Sequence, residues 1–309
     1  MKHFLKYTVS IALLSLCFSA LLAYSFERLF LSKSTTRSGY KLERFYEFND
    51  DVLFLGSSRA QQTFMVDSIF CSGAAYNYGL DGTGNWLWQQ QLEDLVGNGR
   101  NEIIIINVDP PSLNLVTDWN ALEFLNIPHE SAVYKSLDPE IGRSVGYFPF
   151  KYFGSYLELF RTGIKEWINL TSYQYKGTNI SVKSNINGMF FAREFAKDSV
   201  LDCSGPQGNR LVSLLNRQTE DQIVFIKIPT YGGRLEVPFF ADLMPLIQED
   251  SPVFFIDHSH FLQHKELWYD HVHFTLKGAS LYSRLIQEEL QSLVRSNRLI
   301  LPNGVVFAD

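Results

Sequence analysis

The strongest constraint in this chain is a set of short, unbroken apolar runs: Val52-Leu53-Phe54-Leu55, Ile103-Ile104-Ile105-Ile106 and Ile223-Val224-Phe225-Ile226. A strand with one solvated face alternates apolar and polar residues. A strand that is apolar throughout must be covered on both faces, and such strands belong to parallel sheets flanked by helices. Candidate strands fall at 51–55, 74–78, 102–107, 222–228 and 252–256. Trp86–Val96 and Thr275–Arg295 read as helices. In Leu276–Leu293 apolar residues recur at helical spacing, with Gln287, Glu288, Glu289 and Gln291 on the other side.

Strand alternating with helix predicts an α/β fold, a three-layer doubly wound parallel sheet of the flavodoxin-like kind with about five strands. The 309 residues suffice for one large domain with a full core. Residues 27–50 read as a polar connector, since Ser32-Lys33-Ser34-Thr35-Thr36-Arg37-Ser38-Gly39 is loop chemistry, and the domain is expected over 51–309. The stretch from about 111 to 208 is too long for a connection and reads as a large, mostly helical insertion. It holds a helical patch at Ser155–Ile168 and a polar loop at Thr171–Asn187. Its aromatic residues Tyr147, Phe148, Phe150, Tyr152, Phe153 and Tyr156 suit either the insertion's own core or stacking on sugar rings.

Lys2, His3 and Lys6 precede an uncharged run from Tyr7 to Phe26, about the length of a bilayer-spanning helix. Residues 1–26 are therefore expected to be a single-pass anchor that meets the membrane through residues 7–26. Lys on the short side places the N-terminus in the cytoplasm and the main domain outside a bacterial inner membrane, in the periplasm or beyond. A cleaved signal peptide is the rival reading. The run is long for one, and Leu21 stands between Ala20 and Ala23 where a small residue is preferred. Leu16 before Cys17 argues against lipid attachment there. Cys71 and Cys203 lie in the exported part, where a disulfide can persist; two unrelated buried thiols are the other reading. The net charge of -6 and the lack of a basic stripe argue against a nucleic-acid partner.

Open parallel sheets bind ligands beyond the carboxyl ends of their strands. There the first strand delivers Gly56-Ser57-Ser58-Arg59, the second Asn77-Tyr78-Gly79-Leu80-Asp81-Gly82, and the third Asn107-Val108-Asp109-Pro110. The fifth strand leads to Asp270-His271-Val272-His273, just before the last helix. Taken singly, Ser57 and Ser58 suit a helix cap, His273 a structural histidine and Asp270 a turn. Together on one edge they supply a nucleophile, Ser58, a base, His273, and an orienting acid, Asp270. Oxyanion donors are available at the Ser58 and Gly79 amides. Arg59 suits an anionic substrate group or a nearby carboxylate, and Trp86 is placed to shape a substrate pocket.

The chain resembles the SGNH (GDSL-type) hydrolase superfamily over roughly residues 51–110 and 222–290. Gly56-Ser57-Ser58 resembles its first block, with Ser58 at the nucleophile position. Asn77-x-Gly79 resembles the second, which contributes a glycine amide to the oxyanion hole. Asp270-x-x-His273-Phe-Thr-x-Lys-Gly278 resembles the last, an Asp-x-x-His before a helix. Two positions depart. Ser57 replaces the family's usual Asp, as in membrane-anchored envelope members. Asp109 stands where the family places an oxyanion-hole Asn, and Asn107 is the substitute donor two residues earlier.

The resemblance implies a serine esterase or O-acyltransferase with an acyl-enzyme on Ser58, needing no cofactor. Its substrate would be an acylated envelope or secreted glycan or a similar ester. The anchor also admits a membrane-protein partner. The alternative is a non-catalytic assembly or carbohydrate-binding component that keeps the fold. A third reading rests on Asp257, His258, His260, His264, His271 and His273, which crowd one segment. They lack the i,i+4 spacing and the His-Glu-x-x-His pattern of a helical zinc site, so no metal site is expected.

Overall fold

In the computed structural model, residues 2–26, 38–47, 49–71, 73, 75–96, 102–109, 127–137, 172–175, 178–181, 206–216, 221–232 and 243–309 are described. Five parallel strands form one sheet: β1 (Val52–Leu55), β2 (Ala75–Asn77), β3 (Ile103–Asn107), β6 (Gln222–Lys227) and β7 (Val253–Asp257). Their order across the sheet is β2-β1-β3-β6-β7. The register pairs Leu55 with Ile106, Asn107 with Ile226, and Lys227 with Asp257, so the carboxyl ends of the strands lie nearly level. All five lie where strands were expected, with every end within one residue of the expected bound.

Side chains alternate between two buried clusters, as a period of two requires. Val52, Phe54, Ile103, Ile105, Val224 and Ile226 pack with Ala60 and with Ala279, Tyr282, Ile286 and Leu290. The first of these partners lies on the short helix α3 (Ser58–Thr63), the others on the last helix, α7 (Leu276–Arg295). Leu53, Leu55, Ile104, Ile106, Ile223 and Phe225 pack instead with residues of three other helices. These are α2 (Ser38–Glu47), α4 (Trp86–Leu95) and α6 (Pro206–Leu215). Each such buried side chain contributes about 2 kcal/mol through its burial.

Helix α1 (Lys2–Phe26) stands apart. Its stretch His3–Leu22 is long and apolar enough to cross a membrane, and its side chains are almost all exposed.

Two expectations need correction. Residues 38–47, read as part of a polar connector, form α2, with Lys41, Leu42 and Phe45 buried. The polar surface of this helix hides a short buried face. Arg44 donates to Asp50 at 2.8 Å and Tyr78 donates to the same carboxylate, fixing α2 beside the end of β2. The polar loop expected at 171–187 contains an antiparallel pair, β4 (Ser172–Tyr175) with β5 (Thr178–Ser181). Ile180 of β5 is buried in the α3 and α7 core, and β5 packs against α3. Of the remaining stretch, a short helix α5 (Ala132–Ser136) packs on α4. The expected helix at Ser155–Ile168, the aromatic set at 147–156 and Cys203 lie outside the described residues. Cys71 is exposed, where a buried thiol was one expectation.

Candidate active site

β1 is followed by Gly56, whose φ of +141° lies where only glycine is at ease. A Cβ there would meet the Ala60 Cβ at 2.8 Å and the Asn107 carbonyl oxygen at 3.2 Å. The chain then turns sharply into α3. Ser57 is the N-cap, its hydroxyl accepting the Arg59 amide at 3.2 Å. Ser58 is therefore the first helical residue, and its amide has no intrahelical acceptor. The two serines divide the labour: one holds the helix, the other is presented at the sheet edge.

The loop carrying Asp270 and His273 is a small closed turn. Trp268 and Phe274 bridge its base, and both are buried in the α7 core. The Tyr269 amide donates to the His273 carbonyl at 2.8 Å. Asp270 Oδ1 accepts the amides of Val272 and His273, each at 2.8 Å. Its other oxygen, Oδ2, lies 2.8 Å from His273 Nδ1. That leaves His273 Nε2 facing Ser58 Oγ at 2.9 Å across 215 positions of sequence. The three expected residues thus meet in one hydrogen-bonded line. His273 is 17% exposed and Asp270 31%, so the line is sheltered but reachable.

Burial pushes the Asp270 carboxyl up. The hydrogen bond and charge of His273, with the amides of Val272 and His273, outweigh it and hold the carboxyl below its ordinary range.

Among the residues expected to surround this line, several are placed otherwise. Arg59, expected to meet either an anionic substrate group or a nearby carboxylate, is 1% exposed and takes the carboxylate. Its guanidinium donates to Ile228 O at 2.6 Å, Pro229 O at 2.7 Å, and Val272 O and Asp109 Oδ1 at 3.4 Å each. Asp109 is equally buried and also accepts from Asn107 Nδ2 at 2.7 Å. Asn107 is fully buried and donates inward, so neither it nor Asp109 stands as an oxyanion donor. The Gly79 amide is taken by Asn77 Oδ1 at 3.0 Å. A Cβ at Gly79 would lie 2.7 Å from the Gln61 nitrogen, so this glycine serves close packing of α3 on the end of β2. Of the four oxyanion positions expected, three are engaged within the protein, and the Ser58 amide is left without an intrahelical acceptor. Trp86, the first residue of α4, is half-buried against a cluster of Leu42, Leu80, Leu87, Ile127, Val133 and Leu137.

Other residues near the edge escaped sequence reading. Asn85 precedes α4 but makes no side-chain cap bond to it; its side chain holds the backbone of Asp109, with Nδ2 donating to the carbonyl and Oδ1 accepting the amide, each at 2.9 Å. Trp88 Nε1 also donates to Asn85 Oδ1, at 3.0 Å. Lys41 donates to the Gly79 carbonyl at 2.6 Å from a fully buried position. Burial pulls its ammonium well below the usual lysine range, and Asp81 opposes that. Of the crowded histidines, which outside a metal site suit the rim or surface, His258 is buried with Nδ1 3.1 Å from the Tyr282 hydroxyl, whereas His260 and His264 are exposed. Among the described residues, no group of three or more His, Cys, Asp or Glu side chains is placed to hold a metal ion.

No family model matches the chain, and no curated protein is significantly similar to it.

Proposed function

We propose that this chain is a serine-dependent esterase or O-acyltransferase of the SGNH type. The observation that carries the reading is the line Ser58 Oγ, His273 Nε2, His273 Nδ1, Asp270 Oδ2, with contacts of 2.9 and 2.8 Å. In this reading His273 Nε2 takes the Ser58 proton as Oγ bonds to the carbonyl carbon of an ester. The Ser58 amide donates to the developing oxyanion. The tetrahedral adduct collapses, and His273 returns the proton to the departing alcohol. Water or an acceptor hydroxyl, deprotonated by His273, then attacks the Ser58 ester and releases the acyl group. Asp270 keeps Nδ1 protonated, so that Nε2 is the basic nitrogen, and supports the imidazolium once formed.

The same reading includes a three-layer flavodoxin-like domain, for which the order β2-β1-β3-β6-β7 and helices packed on both sets of strand side chains speak. The large insertion over one face belongs to it as well. So does a single-pass anchor with a cytoplasmic N-terminus and an outward-facing domain. The substrate would be an acylated envelope or secreted glycan, and a membrane-protein partner fits the tether.

One observation favours the non-catalytic alternative. Gly79, Asn107 and Asp109 are all engaged inside the protein, which leaves the oxyanion with few donors. A fluorophosphonate probe on the detergent-solubilised full chain separates the two. Stoichiometric labelling that disappears in Ser58→Ala is expected. An unlabelled, folded wild-type protein selects the alternative.

A further inference from the structure

The residue that follows the nucleophile is an arginine with no route to solvent. Its guanidinium makes four polar contacts, all to the protein, and they reach three separate segments. Asp109 lies just past β3, Ile228 and Pro229 just past β6, and Val272 in the turn between β7 and α7. Arg59 itself follows β1. One planar fork thus joins the carboxyl ends of the strands that build the site. Two of these joints are adjacent in sequence to the reacting groups: Arg59 to Ser58, and Val272 to His273. The distance between nucleophile and base is therefore bridged twice, once through the Ser58–His273 hydrogen bond and once through the guanidinium behind it.

Such a clamp needs arginine. A lysine ammonium is a compact point charge and cannot hold acceptors in several fixed directions at once. The far end of the clamp is itself held. Asp109 is fixed by Asn107 through its carboxylate and by Asn85 through its backbone, so the guanidinium pulls against a rigid support. The buried charge is matched by one carboxylate and three carbonyl dipoles, an arrangement that a purely apolar core residue would replace at lower desolvation cost.

We infer that Arg59 is a positioning residue for acyl transfer, setting the Ser58-to-His273 geometry by tying the nucleophile's helix to the turn that carries the base. The inference rests on the proposed serine reading. Misplacing reacting groups by about 1 Å costs on the order of a hundredfold in rate. For Arg59→Lys in the full chain, the limiting rate of fluorophosphonate phosphorylation of Ser58 is therefore expected to fall by about that factor. In that reaction the Oγ–P bond forms, fluoride leaves, and the Ser58 proton passes to His273. The half-saturating probe concentration should stay unchanged, since Arg59 does not touch the probe. Arg59→Met serves as the neutral companion, and thermal melting of both variants fixes the temperature at which each is folded.

A second readout needs no turnover. The His273 Nδ1 proton, hydrogen-bonded to Asp270, gives a downfield resonance that is assigned by its loss in Asp270→Asn. It is expected to shift or broaden in both Arg59 variants. Labelling within twofold of wild type with an unmoved resonance overturns the inference. So does failure of both variants to fold, which would make Arg59 a core residue only. If wild-type protein is not labelled at Ser58, the serine reading fails by itself. The resonance then decides on Arg59 alone: moved, it supports the positioning role; unmoved, it overturns it.

Discussion

Asp270→Asn isolates the orienting role of the carboxylate, because the structure fixes which way the new amide must face. Asp270 Oδ1 accepts two backbone amides at 2.8 Å, and Oδ2 receives His273 Nδ1. An asparagine that keeps its oxygen on the amides retains both bonds and turns its NH₂ toward His273. One that flips to accept from Nδ1 instead aims NH₂ at two N–H donors and strands both. Two lost bonds at about 1 kcal/mol each, plus the cost of burying unmet donors, outweigh one imidazole contact. The amide therefore faces His273, Nδ1 becomes the acceptor, and the imidazole proton moves to Nε2. Nε2 then donates to Ser58 Oγ and cannot take its proton. The same tautomer error in serine proteases costs ~10⁴ in rate, or about 5.4 kcal/mol of barrier. The expected result is a fall of that order in the rate of Ser58 labelling at neutral pH, with the fold kept. A loss of less than tenfold would refute the argument, as would a collapse of the fold, which would show the two backbone bonds are not retained.

Two further outcomes follow from the same region. Gly56→Ala adds a Cβ 2.8 Å from Ala60 Cβ at a φ of +141°, so strain and overpacking together should cost about 2–5 kcal/mol in thermal or denaturant unfolding. Adding Ala60→Gly should recover part of the clash but none of the backbone strain; full additivity of the two changes would contradict the contact. Asp270 is held below its unfolded-state pKa, so its stabilising contribution is complete above about pH 4 and lost as pH falls through the lower folded value. The melting temperature of wild type should thus exceed that of Asp270→Asn at neutral pH and converge on it under acid. A gap that widens on acidification would reverse the assigned sign.

What was legible in the sequence was what depends on local pattern. The runs at 52–55, 103–106 and 223–226 announce buried strands because no solvated strand can be written that way. Asp270 and His273 lie three residues apart, so their contact needs one turn and no knowledge of the fold. Ser58 becomes visible once strand ends are taken as a common edge. The partners that were missed are joined by distance and by burial. A carboxylate partner for Arg59 was one expectation, but Asp109 lies 50 residues away and no pattern in the sequence singles it out. Lys41 sits in a stretch whose Ser, Thr and Lys content reads as solvated. It is buried because Leu42 and Phe45 draw the helix inward and a long stem carries the ammonium to the Gly79 carbonyl. The Gly79 amide looked available because its competitor, Asn77 Oδ1, is a side-chain acceptor two residues away, whose direction the sequence does not show.

If the chain is an acyl-transfer enzyme as proposed, the position of Asp109 changes how its charge bears on that chemistry. A lone carboxylate at the oxyanion position would oppose the developing negative charge at close range. Here Arg59 Nη1 and Asn107 Nδ2 converge on Oδ1, and both residues of the ion pair are 1% exposed. A pair of opposite charges presents a dipole, and its field falls faster with distance than that of one charge. An Asp in place of a donor is therefore compatible with chemistry at Ser58 so long as Arg59 accompanies it. The cost is that the oxyanion loses a side-chain hydrogen bond, worth about 3–4 kcal/mol where such donors have been removed from other serine enzymes. A site built this way would favour intrinsically reactive acyl donors, for which less stabilisation of the tetrahedral adduct is needed. Rates on activated aryl esters should accordingly exceed those on alkyl esters by more than the difference in leaving-group reactivity alone.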